Sequence, residues 1–238
     1  MYDLHCHYLP AVDDGAADVQ EGLRLATAAA ADGIRGAVLT PHVHPGRYDN
    51  TLSGLMPHFD AFSRAVEQAG IPIELRLGCE MRLSPESIEL ILRDEVPSLG
   101  RWGERPVLLL ELPHDTVPVG AVKAATYLVS LGWVPMIAHP ERNKALMRDP
   151  MRLGEFAEVG CLAQLTAASV CGMFGPGAQR AAFAMLEQGW ITVVASDAHN
   201  IEHRPPVMTH ARIALEDRYG ADVAHELVHA SPEAIFRG

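Results

Sequence analysis

The sequence predicts an α/β fold, an incomplete parallel barrel of seven strand–helix units, and three observations carry that prediction. Short apolar runs alternate with amphipathic stretches, which argues for parallel strands joined by right-handed crossovers. The runs are nearly continuously apolar, as strands buried on both faces are. The chain has 238 residues, 48% of them hydrophobic and 21% charged, a composition able to build one sizeable core. Residues 1–238 are therefore expected to form a single domain, since alternating barrels commonly use about 200–250 residues that way. An open doubly wound sheet is the competing architecture. It would be favoured by a glycine-rich phosphate loop after the first strand, and none stands there.

The elements follow in order. Residues 2–4 form the first apolar run, closed by His5. Gly33 then precedes the run 34–40, closed by His42, and Gly70 precedes 71–78, closed by Glu80. The run 106–110 has no glycine before it and ends at Glu111. Gly132 precedes 133–138 and His139, Gly160 precedes 161–165 and Thr166, and Gly189 precedes 190–195 and Asp197. Glycine just past a helix end is the expected stop, because it tolerates a left-handed backbone. Between the runs, Val19, Leu23 and Ala26, and then Leu55, Phe59, Phe62 and Val66, recur at helical spacing. Residues 43–55 read as a long loop, and Pro205-Pro206 as the start of a C-terminal helical segment.

Active sites of parallel barrels lie at the carboxyl ends of the strands. There this sequence places His5, His7, Asp14, His42, Glu80, Glu111, His139, Asp197 and His199. The alternating His5-Cys6-His7 can aim both imidazoles to one side, and Asp197-Ala198-His199 repeats the spacing. Glu80 and Glu111 close strongly apolar runs, where an unpaired carboxylate would be costly to desolvate. Such a donor set suits manganese, iron, zinc or cobalt. Divalent ions there would outweigh the carboxylates of Asp14, Glu80, Glu111 and Asp197 and leave a field that favours a dianionic phosphate ester. Arg142 and Arg204 leave strand-end loops beside those residues, and Arg47 sits in the long loop, each with a forked donor suited to phosphate.

Other classes are disfavoured. A formal net charge of −11 argues against nucleic acid and anionic membrane surfaces as partners. No apolar run approaches the roughly 20 residues of a membrane span. Cys6, Cys79, Cys161 and Cys171 form no C-x-x-C pair and read as reduced, shielded thiols. A cytoplasmic protein is expected.

Six segments carry a family resemblance: Asp3-Leu4-His5-Cys6-His7, Val12-Asp13-Asp14-Gly15, Thr40-Pro41-His42, Gly78-Cys79-Glu80, Ala138-His139-Pro140-Glu141-Arg142, and Ser196-Asp197-Ala198-His199-Asn200 with Arg204-Pro205-Pro206. They resemble the polymerase-and-histidinol-phosphatase (PHP) superfamily, in particular its bacterial protein-tyrosine phosphatases of capsule and exopolysaccharide loci. The resemblance implies a distorted seven-stranded, TIM-like barrel with three divalent ions, manganese favoured. It implies one metal on His5, His7, Glu80 and Asp197, a second on Glu80, Glu111 and His139, and a third on Asp14, His42 and His199. Arg142 and Arg204 match the family's phosphate-contacting arginines. The implied substrate is phosphotyrosine on a protein, the implied partner a tyrosine kinase of polysaccharide assembly. The sequence departs from the family at Gln164-Leu165-Thr166-Ala167, where Gln-x-Asn-Ala is expected, and in the histidine-rich loop His42–Arg47. Two other functions compete: a small-molecule phosphomonoesterase, and a non-catalytic metal-binding regulatory module.

Overall fold

The computed structural model describes residues 1–238. Gly33, Gly70, Gly132, Gly160 and Gly189 all adopt a left-handed backbone, with φ between 65° and 93°, as the helix-stop reading requires. The chain runs β1 (Tyr2–Cys6), α1 (Val19–Ala31), β2 (Gly36–Leu39), β3 (His42–Val43), α2 (Leu52–Gln68), β4 (Glu74–Leu77), β5 (Glu80–Arg82), α3 (Pro85–Leu92), β6 (Arg101–Trp102) and β7 (Arg105–Glu111). It continues through α4 (Ala121–Ser130), β8 (Val134–Ala138), α5 (Lys144–Arg148), α6 (Gly154–Glu158), β9 (Leu162–Thr166), α7 (Ala167–Val170), α8 (Gly175–Glu187), β10 (Val193–Ala195), α9 (Thr209–Tyr219), α10 (Ala221–His225) and α11 (Ser231–Arg237). Side-chain caps start the first three helices: Asp18, Thr51 and Ser84 accept from Glu21 N, Gly54 N and Ser87 N.

The result is a mixed α/β fold dominated by parallel strands. One sheet runs β1-β2-β4 and the other β10-β9-β8-β7-β5-β3, all of these pairs parallel. Backbone hydrogen bonds also connect the two outer members, β1 and the segment after β10: Asp197 N donates to His5 O and His7 N to Ala198 O, both at 2.8 Å.

Residues of β7 alternate between two apolar clusters. Leu108 and Leu110 join a core of 46 buried residues, whereas Val107 and Leu109 join one of 13 that contains Ile235 and Phe236 of α11. Both faces of the strand are thus buried, which is why the sequence shows no polar alternation there. Val193 and Ala195 of β10 share the smaller cluster, so Glu111 and Asp197 continue the face it occupies.

The structure corrects four details. The second and third runs hold one strand each, β2 and β4, but the residues read as closing them, His42 and Glu80, begin short strands of their own, β3 and β5, after Thr40-Pro41 and Gly78-Cys79. The segment read as a loop, 43–55, already holds the end of β3 and the start of α2. The buried face of α1 is Gly22, Leu25, Ala26 and Ala29, while Val19 is exposed. Finally, the C-terminal helical segment starts at Thr209, after Pro205-Pro206, and an antiparallel β6–β7 pairing went unread in the sequence.

Candidate metal centre

The imidazoles at the end of the first strand, His5 and His7, are each oriented from behind. Gln164 Oε1 accepts from His5 Nδ1 at 2.9 Å, and Asp13 Oδ2 from His7 Nδ1 at 2.7 Å. A carboxylate or amide oxygen on the far nitrogen fixes the tautomer and frees Nε2 as a ligand. The two Nε2 atoms accordingly face each other at 3.2 Å. Asp13 also accepts from the amides of Gly15 and His42, at 2.9 and 3.0 Å, and so ties the first two strand ends together.

Glu80 lies at the centre. Its Oε2 is 3.2 Å from His5 Nε2 and 3.0 Å from His42 Nδ1, and its Oε1 is 2.7 Å from His139 Nε2. Asp14 Oδ1 reaches His42 Nε2 at 3.3 Å and His199 Nε2 at 3.5 Å. Donor atoms sharing one ion at bonds of about 2.0–2.2 Å stand about 3.0–3.5 Å apart, which is the spacing found here. The donors fall into overlapping groups: His7, Asp14, His42 and His199; His5, His7 and Glu80; His5, His139 and Asp197; and His42, Glu80 and Glu111. All nine residues singled out by sequence are therefore brought together. Glu111 joins the group of His42 and Glu80, and His139 that of His5 and Asp197; Glu111 is also clasped by Arg82, with Nε 3.0 Å from Oε2 and Nη2 donating to Oε1 at 3.2 Å.

Asp197 provides the best test of fit for a metal. Its Oδ2 accepts from both Arg142 and Arg204. Its Oδ1 is buried and accepts no hydrogen bond, yet it stands 3.3 Å from His5 Nε2 and 3.6 Å from both His7 Nε2 and His199 Nδ1. An unpartnered buried carboxylate oxygen costs free energy, and a cation among these imidazoles would remove that cost. Backbone strain points the same way. His139 and Asp197 both have left-handed backbones, φ 32° and 53°, conformations that non-glycine residues hold mainly where surroundings enforce them. Strand alternation would leave His139 on the side of Ile137, in the larger core; the left-handed kink lets it reach Glu80 instead.

The electrostatics follow from burial and charge. Burial alone would raise Glu80, but His5, His42 and His139 hold it well below the usual carboxylate range. Burial and the charge of Glu80 push Glu111 up to about 7, against the pull of Arg82. Burial lowers the His42 imidazole, yet Glu80 and Asp14 outweigh it and raise it to about 10. Burial and then Arg142 depress His139 to about 4; burial and His7 do the same to His199.

These side chains open into a cavity of about 150 Å³ in which, Tyr48 apart, every lining residue is polar or charged. Arg47, Arg82, Arg142 and Arg204 all line it. Arg204 Nε is buried without a hydrogen-bond partner. The sequence reading missed Arg82, Asp13 and Gln164. Asp13 stood within a family segment and Gln164 within the departing one, and a polar residue inside an apolar strand was the available signal. His44 lines the cavity too, without joining a donor group. Cys6 and Cys79 are fully buried, and burial raises both thiols, so neither is placed to be a nucleophile.

Comparison with known proteins gives concordant results. A family model described as "Capsular polysaccharide synthesis, CpsB/CapC" matches residues 1–237. The tyrosine-protein phosphatase YwqE of Bacillus subtilis is 34% identical over 237 residues, covering 100% of this chain and 92% of that protein. The tyrosine-protein phosphatase CpsB of Streptococcus pneumoniae is 28% identical, covering 99% and 98%. A chain from the crystal structures of YwqE and CpsB, described as unique metal-dependent tyrosine phosphatases, superposes with a TM-score of 0.92 at 32% identity, covering 100% of this chain and 94% of that one. An organophosphorus hydrolase from Deinococcus radiodurans, at 15% identity and a TM-score of 0.61, covers 98% of this chain and 91% of that one and shows likeness of fold alone.

Proposed function

The chain belongs to the CpsB/CapC family of capsular polysaccharide synthesis, and from that premise we propose that it is a metal-dependent tyrosine-protein phosphatase, a phosphoric monoester hydrolase. The carrying observation is a single cavity that joins the carboxylates Asp14, Glu80, Glu111 and Asp197 to Arg142 and Arg204. We further propose that residues 1–238 act as one barrel of seven parallel members, the break between sheets being closed by the hydrogen bonds between β1 and the segment after β10.

Three divalent ions are proposed, manganese favoured and iron, zinc or cobalt suited. His5, His7, Glu80 and Asp197 would hold one, Glu80, Glu111 and His139 a second, and Asp14, His42 and His199 a third. When bound, such ions activate water and stabilise developing negative charge on phosphate oxygens. The chain's own contribution is orientation and charge. Gln164 and Asp13 fix the imidazoles of His5 and His7. Arg142 and Arg204 offer N–H donors to the non-bridging oxygens of the ester, with Arg47 at the exposed rim. No helix is long and apolar enough to cross a membrane. A cytoplasmic location, and a tyrosine kinase of polysaccharide assembly as the physiological substrate, complete the proposal.

The substrate class is tested by giving one preparation a tyrosine-phosphorylated peptide and a sugar phosphate at equal concentration. Preferential release of phosphate from the peptide is expected. Rapid cleavage of the sugar phosphate with the peptide untouched would replace this reading by the small-molecule phosphatase.

Metal uptake should also release protons. His42 is raised to about 10 and is therefore protonated at neutral pH, whereas a metal ligand must be neutral. A group raised in this way keeps its proton until the pH passes its pKa, so apparent metal affinity should climb with pH over that range. Calorimetric titration of the chelated protein with manganese, in two buffers of different ionisation enthalpy, should give different heats. Equal heats would contradict the proton count.

A further inference from the structure

Beside the metal centre lies a second cavity of different chemistry. It measures about 170 Å³, and Ala168, Met173, Phe174, Pro205 and Val207 give it a mainly apolar surface, with Ser196, His203 and His210 among its polar members. Arg204 and Asp197 line both cavities, so the two adjoin at the point where the phosphate is proposed to bind. The walls are coupled as well: the Arg142 guanidinium carbon lies 4.5 Å from the centre of the Phe174 ring. Met173 and Phe174 stand in the turn between α7 and α8 and are 65% and 37% exposed, large apolar side chains left uncovered.

We propose that this cavity seats the aromatic ring of the phosphate ester, and so selects aryl over alkyl phosphates. The inference rests on the phosphatase reading and adds to it the residues that recognise the leaving group. Three observations carry it. The ring of an aryl phosphate is one ester oxygen away from phosphorus, so it must lie beside whatever binds the phosphate. The metal cavity offers it only Tyr48 as an apolar neighbour, whereas the adjoining cavity is mainly apolar and touches Arg204. The size also fits, since an apolar cavity of roughly 150 Å³ is enough to hold benzene. A sugar phosphate would gain little there because its carbons carry hydroxyls, and a serine phosphate because its single methylene fills little of the space.

The test compares methylphosphonate with benzylphosphonate as inhibitors of phosphotyrosine-peptide hydrolysis by the metal-loaded protein. Burying a ring should make benzylphosphonate the tighter inhibitor by roughly tenfold to a hundredfold. Two variants alter the cavity from opposite directions: Ala168→Phe fills it, and Met173→Ala with Val207→Ala strips its walls. Phe174 is left in place because Arg142 rests on it. In either variant the preference for the benzyl compound should collapse toward unity while methylphosphonate inhibition holds. If Ala168→Phe does not fold, the double variant decides. A wild type that binds both phosphonates equally, or a preference surviving in a folded variant, overturns the ring seat and leaves the phosphatase reading standing. A wild type that hydrolyses the peptide but is inhibited by neither phosphonate also overturns the ring seat, whereas a metal-loaded protein that hydrolyses no phosphotyrosine peptide removes the phosphatase reading, and the ring seat with it.

Discussion

Alanine at Arg142 or at Arg204 is expected to lower kcat on a phosphotyrosine peptide by about 10²–10³ while bound metal stays at the wild-type level. Both guanidiniums converge on Asp197 Oδ2 and both line the cavity that holds the proposed ligands. They cannot be ligands themselves, because a guanidinium carries no free lone pair at any working pH. Charge-assisted bonds to phosphate strengthen as negative charge moves onto its oxygens, so their loss should fall on kcat more than on KM. Either single variant leaves Asp197 one cationic partner, which keeps its carboxylate charged. Turnover and elemental metal content measured on the same samples check the expectation. Wild-type turnover in both variants would remove the phosphate clamp from the account.

His139→Ala is expected to behave differently and to lose metal and activity together, with turnover falling to background. Burial and Arg142 depress this imidazole to about 4, so at neutral pH it is already in the uncharged state that a metal requires. It stands 2.7 Å from Glu80 Oε1, within the densest part of the site. Its left-handed backbone means that the fold accepts strain to hold it there. A variant of the exposed His114 should change neither quantity. Full metal content in His139→Ala would separate this residue from the ligand set.

Much of this site was legible because it is local. Most of the ligands close or directly follow an apolar run, and the glycines that precede five of the seven runs do adopt the left-handed turn the pattern required. Alternation in His5-Cys6-His7 and Asp197-Ala198-His199 announces shared direction without any knowledge of distant neighbours. What the pattern could not show is pairing across the barrel. Arg82 clasps Glu111 from 29 positions away and Gln164 reaches His5 from 159 away, and nothing in either local segment names the partner. The breaks at Thr40-Pro41 and Gly78-Cys79 were hidden for another reason. Both fall at the end of an apolar run, between its last residues and the ligand that follows. Proline removes one backbone donor and restricts the residue before it, and the side chains on either side still bury. The apolar seat beside Arg204 was equally invisible, because Met173-Phe174 and Val207 come from separate turns that only the fold brings together.

The central claim is that catalysis depends on metal held by these nine residues. It is tested most directly by measuring metal content and phosphotyrosine-peptide turnover on one preparation, before exhaustive chelation, after it, and after manganese is returned. The account predicts that both quantities fall together and recover together. Undiminished turnover in protein shown by elemental analysis to hold no metal would contradict it.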